Sequence, residues 1–246
     1  MTALRVAFDM DGTLADLISA YAEVERALFG ETDADQDEPA PEVREVEQIA
    51  EAKTDGVNTD KRMTETAERL LRVRKGKVHR DRVWQTVEAT PNFWTTLNPI
   101  EPGVVKRLFE LSEAHGWEVF FITQRPETAG ATVPRQTHQW LVEQGFKTPS
   151  VIPLSGGRGK AASALRLDFL VDDSPQNCVD VLSDSSTRAL LLTDRDDPLA
   201  ASSARRLGIG VAHSVSEVLD LLVQATVART NPTLFEKLRR MVGWNV

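Results

Sequence analysis

Asp9 and Asp11 are the residues on which chemistry in this chain would turn. They stand two positions apart, directly after the apolar run Leu4-Arg5-Val6-Ala7-Phe8 and just before Gly12-Thr13-Leu14. A continuous apolar run of this length predicts a buried parallel strand. Its carboxyl end is where open α/β sheets bind ligands. Gly12 lets the chain turn there, because glycine takes positive φ without steric cost. Two carboxylates held this close repel each other, so the pair demands a cation or a shared proton. A hard divalent ion with oxygen ligands, most simply Mg2+, meets that demand. The plain alternative is a helix-capping Asp with a turn Asp; the placement after a strand and ahead of Gly-Thr argues against it.

Strand and helix signals alternate from about residue 100 onward, which predicts a parallel, doubly wound α/β sheet. Helices are expected from Pro102-Gly103 to His115, over Arg135–Gln144 and over Val215–Val227. Strands are expected at Glu118–Ile122, Val151–Leu154, Asp168–Val171, Arg188–Leu192 and Ile209–Ala212, the last two toward an edge of the sheet. The first of these runs meets Thr123-Gln124-Arg125-Pro126 at its end. The stretch after Leu154 is the glycine-rich Ser155–Lys160, and Asp172-Asp173 closes the third.

Residues 16–91 carry helical spacing only. One helix is predicted over Asp16–Phe29, another resuming near Pro41, a third beginning at Thr59 or Asp60 and a short one over Asp81–Ala89. Glu31–Glu51 is strongly acidic, and Arg69–Arg82 is basic; charge runs of this kind are usually solvated faces. The expected organisation is a discontinuous core (1–15 and 92–228), an all-helical insert (16–91) and a C-terminal amphipathic helix (229–246). That last helix, opened by Asn231-Pro232-Thr233, would dock on its own core or form a homodimer interface.

Composition narrows the function. With 246 residues, 41% hydrophobic and 27% charged, the chain has the make-up of an ordinary soluble domain with a smaller insert. A formal charge of −8 disfavours binding to a nucleic-acid polymer. Small anionic substrates stay compatible with it, because a metal and a few cations dominate the local field. One cysteine, no signal peptide and no membrane-length apolar run lead us to expect a cytoplasmic protein with no membrane partner.

Asp9-Met10-Asp11-Gly12-Thr13-Leu14 resembles the first motif of the haloacid dehalogenase superfamily, whose members mostly hydrolyse phosphate monoesters through an aspartyl-phosphate. The resemblance implies a Rossmann-like core with a helical cap inserted after that motif, and Mg2+ as cofactor. It assigns Asp9 as nucleophile and Asp11 as general acid and base. Thr123 matches the second motif, a hydroxyl donor to a phosphate oxygen. Lys160 matches the third, a cation offsetting charge on nucleophile and phosphoryl, with Arg158 as rival. Asp172-Asp173 resembles the fourth: Asp173 would bind the metal with Asp9 and the main-chain carbonyl of Asp11, and Asp172 would support it. Asp11 favours phosphate esters, because dehalogenating and phosphonate-cleaving relatives lack an acid there.

Asn92–Pro99 with Pro102-Gly103, Gln139–Glu143 and Val171–Pro175 resemble the deoxyribonucleotidase family of 5′-nucleotidases. That likeness implies a (deoxy)nucleoside monophosphate as substrate. Phe93 and Trp94 would line a base and sugar pocket, and Gln124 and Arg125 would be further substrate contacts; packing within the protein is the alternative for the aromatic pair. The other readings are a phosphatase for another small metabolite and a silent nucleotide- or partner-binding protein.

Overall fold

The computed structural model describes residues 3–30 and 76–229. The chain divides into two compact units, Met1–Ala20 with Pro91–Val246 and Tyr21–Thr90. The acidic run, the helices expected near Pro41 and Thr59, most of the basic run and the C-terminal helix lie outside the described residues.

The first unit is a six-stranded, wholly parallel sheet: β1 (Arg5–Asp9), β2 (Glu118–Thr123), β3 (Ser150–Pro153), β4 (Phe169–Asp172), β5 (Arg188–Leu192) and β6 (Gly210–Ala212). Their order in space is β3-β2-β1-β4-β5-β6. The chain leaves β1 toward one edge through β2 and β3, then crosses back to build β4, β5 and β6 on the other side. β1 therefore lies at the point where the winding reverses, and the crevice beyond its carboxyl end is where such sheets take ligands. Val6, Ala7 and Phe8 are fully buried, as the unbroken apolar run demands of a central parallel strand.

The helices are α1 (Leu17–Phe29), α2 (76–89), α3 (Val104–His115), α4 (Val133–Glu143), α5 (Arg158–Ala164), α6 (Pro175–Asp184), α7 (Pro198–Arg206) and α8 (Val215–Ala228). A single 3-10 turn at Phe93–Thr95 precedes α3. α2 begins earlier than the short helix expected at Asp81. The sequence reading did not assign α6 or α7, yet both carry a side-chain cap followed by proline: Ser174 before Pro175, and Asp197 before Pro198. Each buries only a narrow apolar face, Cys178 and Val181 in α6, Ala201 and Ala204 in α7. That narrowness is why periodicity did not reveal them.

Within the second unit, Tyr21 packs against Trp84 with ring centroids 5.6 Å apart, and Phe29 stacks on His79 at 3.7 Å. His79 Nε2 and Glu25 Oε1 are 2.8 Å apart. No helix among the described residues is long and apolar enough to cross a membrane.

Candidate active site

Three strands deliver polar groups to one end of the sheet. β1 ends in Asp9, β2 in Thr123 and β4 in Asp172, each at its own carboxyl terminus. Oxygens of Asp9, Asp172 and Asp173 all lie within 4.8 Å of one another. Residues far apart along the chain therefore share one small volume, and Asp9 and Asp172 are buried there.

Charges buried this deeply need partners, and two arginines supply them. Arg158, at the start of α5, donates from Nε to Asp172 Oδ2 at 3.1 Å and from Nη2 to Asp9 Oδ1. Its Nη1 is buried and has no hydrogen-bond partner among the described residues. Arg125 donates from Nε to both Asp11 oxygens, at 3.0 and 2.9 Å, and from Nη2 to Oδ1 at 2.6 Å. Four carboxylates against two guanidiniums leave a formal surplus of two negative charges. The surplus shows in the acidities. Burial, and next the charge of Asp172, push the Asp9 carboxyl well above the usual aspartate range; burial and Asp172 raise Asp173 as well.

Asp172 has its oxygens occupied. Oδ1 accepts from the Ser174 N–H at 2.9 Å and from Asn177 Nδ2 at 3.0 Å, and Oδ2 accepts from Asn177 Nδ2 and Arg158 Nε. Asp173 is half-buried, and its Oδ1 accepts the Thr13 hydroxyl at 3.2 Å. An all-carboxylate donor set with an excess of two negative charges suits a hard divalent cation. Asp9 and Asp173 have the freer oxygens for it, and Asp172 stands behind as the hydrogen-bonded support.

Gly12 holds this geometry open. Its φ is +84°, and a Cβ there would overlap the Asp173 carboxylate. Gly12→Ala is expected to destabilise the protein by roughly 1–3 kcal/mol through left-handed strain and to displace Asp173. A thermal melt with and without Mg2+ checks this: the variant should melt lower and lose most of the wild-type Mg2+ shift.

Not all of the candidate residues come together at the carboxylates. Lys160 is exposed, and Arg158 takes the position beside Asp9 that the third-motif resemblance assigned to Lys160. Residues two apart on a helix point about 200° apart, so with Arg158 turned inward Lys160 faces outward. Asp180 secures that orientation by accepting the Gly159 N–H at 2.9 Å. Phe93 and Trp94 are 4% and 0% exposed, so neither presents a face to a substrate. The Trp94 indole N–H donates to the Pro126 carbonyl at 3.0 Å. The Arg125 side chain is 0% exposed and paired with Asp11. Gln124 is exposed, and its Nε2 donates to the Gly156 carbonyl at 2.8 Å. Thr123 is buried at the site, with Oγ1 accepting the Arg125 backbone N–H at 3.3 Å. Asn177, on Asp172, and Thr137, on Arg125, join the site from positions that carry no motif. The Ser174-Pro175 helix start was the signal for Asn177, since a polar residue in a first helical turn can reach back to the preceding loop.

No family model matches the chain, and no curated protein matches it. Among solved structures it is similar to a HAD family hydrolase from Deinococcus radiodurans R1, with bound phosphate and sodium. The two are 18% identical over 92% of this chain and 96% of that one, with a TM-score of 0.49. A phosphonoacetaldehyde hydrolase-like protein from Oleispira antarctica is 18% identical over 98% and 94%, with a TM-score of 0.49. L-2-haloacid dehalogenase from Xanthobacter autotrophicus is 12% identical over 90% and 98%, with a TM-score of 0.45.

Proposed function

We propose that this protein is a phosphomonoester hydrolase of the haloacid dehalogenase superfamily that works with Mg2+ through an aspartyl-phosphate. The observation that carries the reading is the meeting of Asp9, Asp172 and Asp173 within 4.8 Å at the sheet's switch point, with two formal negative charges unbalanced. The bound ion would offset charge on the attacking carboxylate and on the transferring phosphoryl group. Asp9 attacks phosphorus and takes the phosphoryl group as an acyl phosphate. Asp11, clamped by Arg125 yet 18% exposed, protonates the departing ester oxygen and afterwards accepts a proton from the attacking water. Arg158 holds Asp9 with one nitrogen and offers Nη1 to a phosphoryl oxygen. Thr123 supports the same end of the cleft.

The substrate class suggested by the sequence resemblance is a (deoxy)nucleoside monophosphate. A second reading, a phosphatase for another small phosphorylated metabolite, gains from the burial of Phe93 and Trp94, which removes the aromatic contacts expected for a base. Purified protein with Mg2+ against a panel of nucleoside monophosphates and sugar phosphates separates the two by inorganic phosphate release. Activity should fall by at least about 100-fold when a chelator removes the metal. Turnover confined to sugar phosphates selects the second reading. No phosphate release from any ester sinks both.

A further inference from the structure

We propose that Arg125 is a positioning residue for Asp11, fixing the direction in which the proton-transferring carboxylate faces. The inference rests on the phosphatase reading and adds a buried residue that acts through Asp11.

The Asp11 carboxylate is gripped through both oxygens by Nε and Nη2 of Arg125. A planar guanidinium binding through two nitrogens sets the plane of its partner, which a single ammonium does not. Arg125 is itself immobilised. Its Nη1 donates to the Thr137 hydroxyl at 3.0 Å, and its guanidinium carbon lies 4.8 Å from the centre of the Trp94 ring. Trp94 is tied down in turn, by its indole bond to Pro126 and by its backbone N–H, which donates to Gln136 Oε1 at 3.1 Å. Gln136 and Thr137 are neighbours on α4, and both are fully buried. A continuous support therefore runs from α4 through Trp94 and Arg125 to Asp11. It ends on a carboxylate held from the protein side and open on the other, with 18% of its side chain exposed against 0% for Arg125.

The alternative is a buried ion pair that serves only stability. The chemistry tells them apart. In the first step an Asp9 oxygen bonds to phosphorus, the P–O ester bond breaks with its electron pair leaving on the ester oxygen, and the Asp11 proton passes to that oxygen. The alcohol departs and Asp11 is left ionised. A p-nitrophenolate leaves without that proton, whereas a benzyl alkoxide requires it. Misalignment of Asp11 should therefore penalise benzyl phosphate far more than p-nitrophenyl phosphate, and general loss of structure should penalise both alike.

The test measures kcat/KM of the full chain with saturating Mg2+ on both esters, for wild type, Arg125→Lys, Asp11→Asn and the double variant. Arg125→Lys should lose about 100-fold on benzyl phosphate and less than about 5-fold on p-nitrophenyl phosphate. In the Asp11→Asn background the same change should add almost nothing on benzyl phosphate, since the two residues act as one unit. Equal losses on the two esters, or a full further loss in the double variant, overturn the proposal while leaving the phosphatase reading standing. A wild type inactive on both esters and on every nucleoside monophosphate and sugar phosphate of the panel overturns both. If Arg125→Lys does not fold, Thr137→Val removes only the Nη1 partner at nearly constant volume. It should show the same asymmetry at about 5- to 10-fold on benzyl phosphate, and its absence is equally fatal.

Discussion

Asp9→Asn should abolish phosphate release, by at least about 10^4-fold, and at the same time raise the melting temperature of the metal-free protein. Both effects follow from one environment. In the proposed reaction the nucleophile is a carboxylate, and an amide cannot form the acyl phosphate. Yet Asp9 is buried among Asp11, Asp172 and Asp173, with the Arg158 guanidinium as its charged partner. The folded protein therefore binds the Asp9 proton more tightly than the unfolded chain, whose aspartate titrates near 3.8. Above that value the ionised group costs stability, and the cost is relieved as pH falls through the raised folded-state value. Asparagine keeps the acceptor for Arg158 and removes the charge, so about 1 kcal/mol, or 2–4 °C in a chain of this size, should be recovered near neutral pH. If Asp9 is a ligand of the proposed metal site, Mg2+ should narrow the gap by favouring the folded wild type over the folded variant. Unchanged phosphate release in the variant would falsify the assignment of Asp9. A metal-free wild type that melts above the variant would remove the electrostatic account.

Arg158→Ala should cost about 10^2- to 10^3-fold in kcat/KM, and Lys160→Ala less than about 2-fold. The two residues are two positions apart, and sequence likeness favoured the lysine. The structure turns Arg158 inward onto Asp9 and Asp172, with a side-chain exposure of 5%, and leaves Lys160 in solvent. Removing the guanidinium leaves two buried carboxylates without their charged partner. A stability loss of about 3–5 kcal/mol is expected alongside the rate effect. Parallel kinetics and denaturant melts on the two variants check this. A large loss in Lys160→Ala with a mild one in Arg158→Ala would mean that the helix presents its other side to the cleft in the working protein.

These outcomes bear on how much was legible beforehand. Asp9, Asp172 and Thr123 could be read at strand ends because buried parallel strands announce themselves as unbroken apolar runs, and the polar residue that stops a run marks its end. The alternation of such runs with helical spacing gave the α/β class. Which cation would face the carboxylates was not legible. It depends on the angular position at which α5 begins, and that is set by Asp180, more than 20 positions away, accepting the Gly159 N–H. The fate of Phe93, Trp94 and Arg125 was equally non-local. Aromatic and guanidinium groups near a cleft serve a ligand or the protein alike, and only the packing of α4 beneath them, through Gln136 and Thr137, decides which.

By itself, then, the sequence determined the strands and the residues that end them, because strand burial, glycine turns and carboxylate repulsion act over a few neighbouring positions. The tertiary structure alone decided which groups pair: Arg158 with Asp9 and Asp172, Arg125 with Asp11, and Asn177 with Asp172. A buried charge takes whatever partner the assembled fold brings within hydrogen-bond reach, and separation along the chain carries no record of that distance.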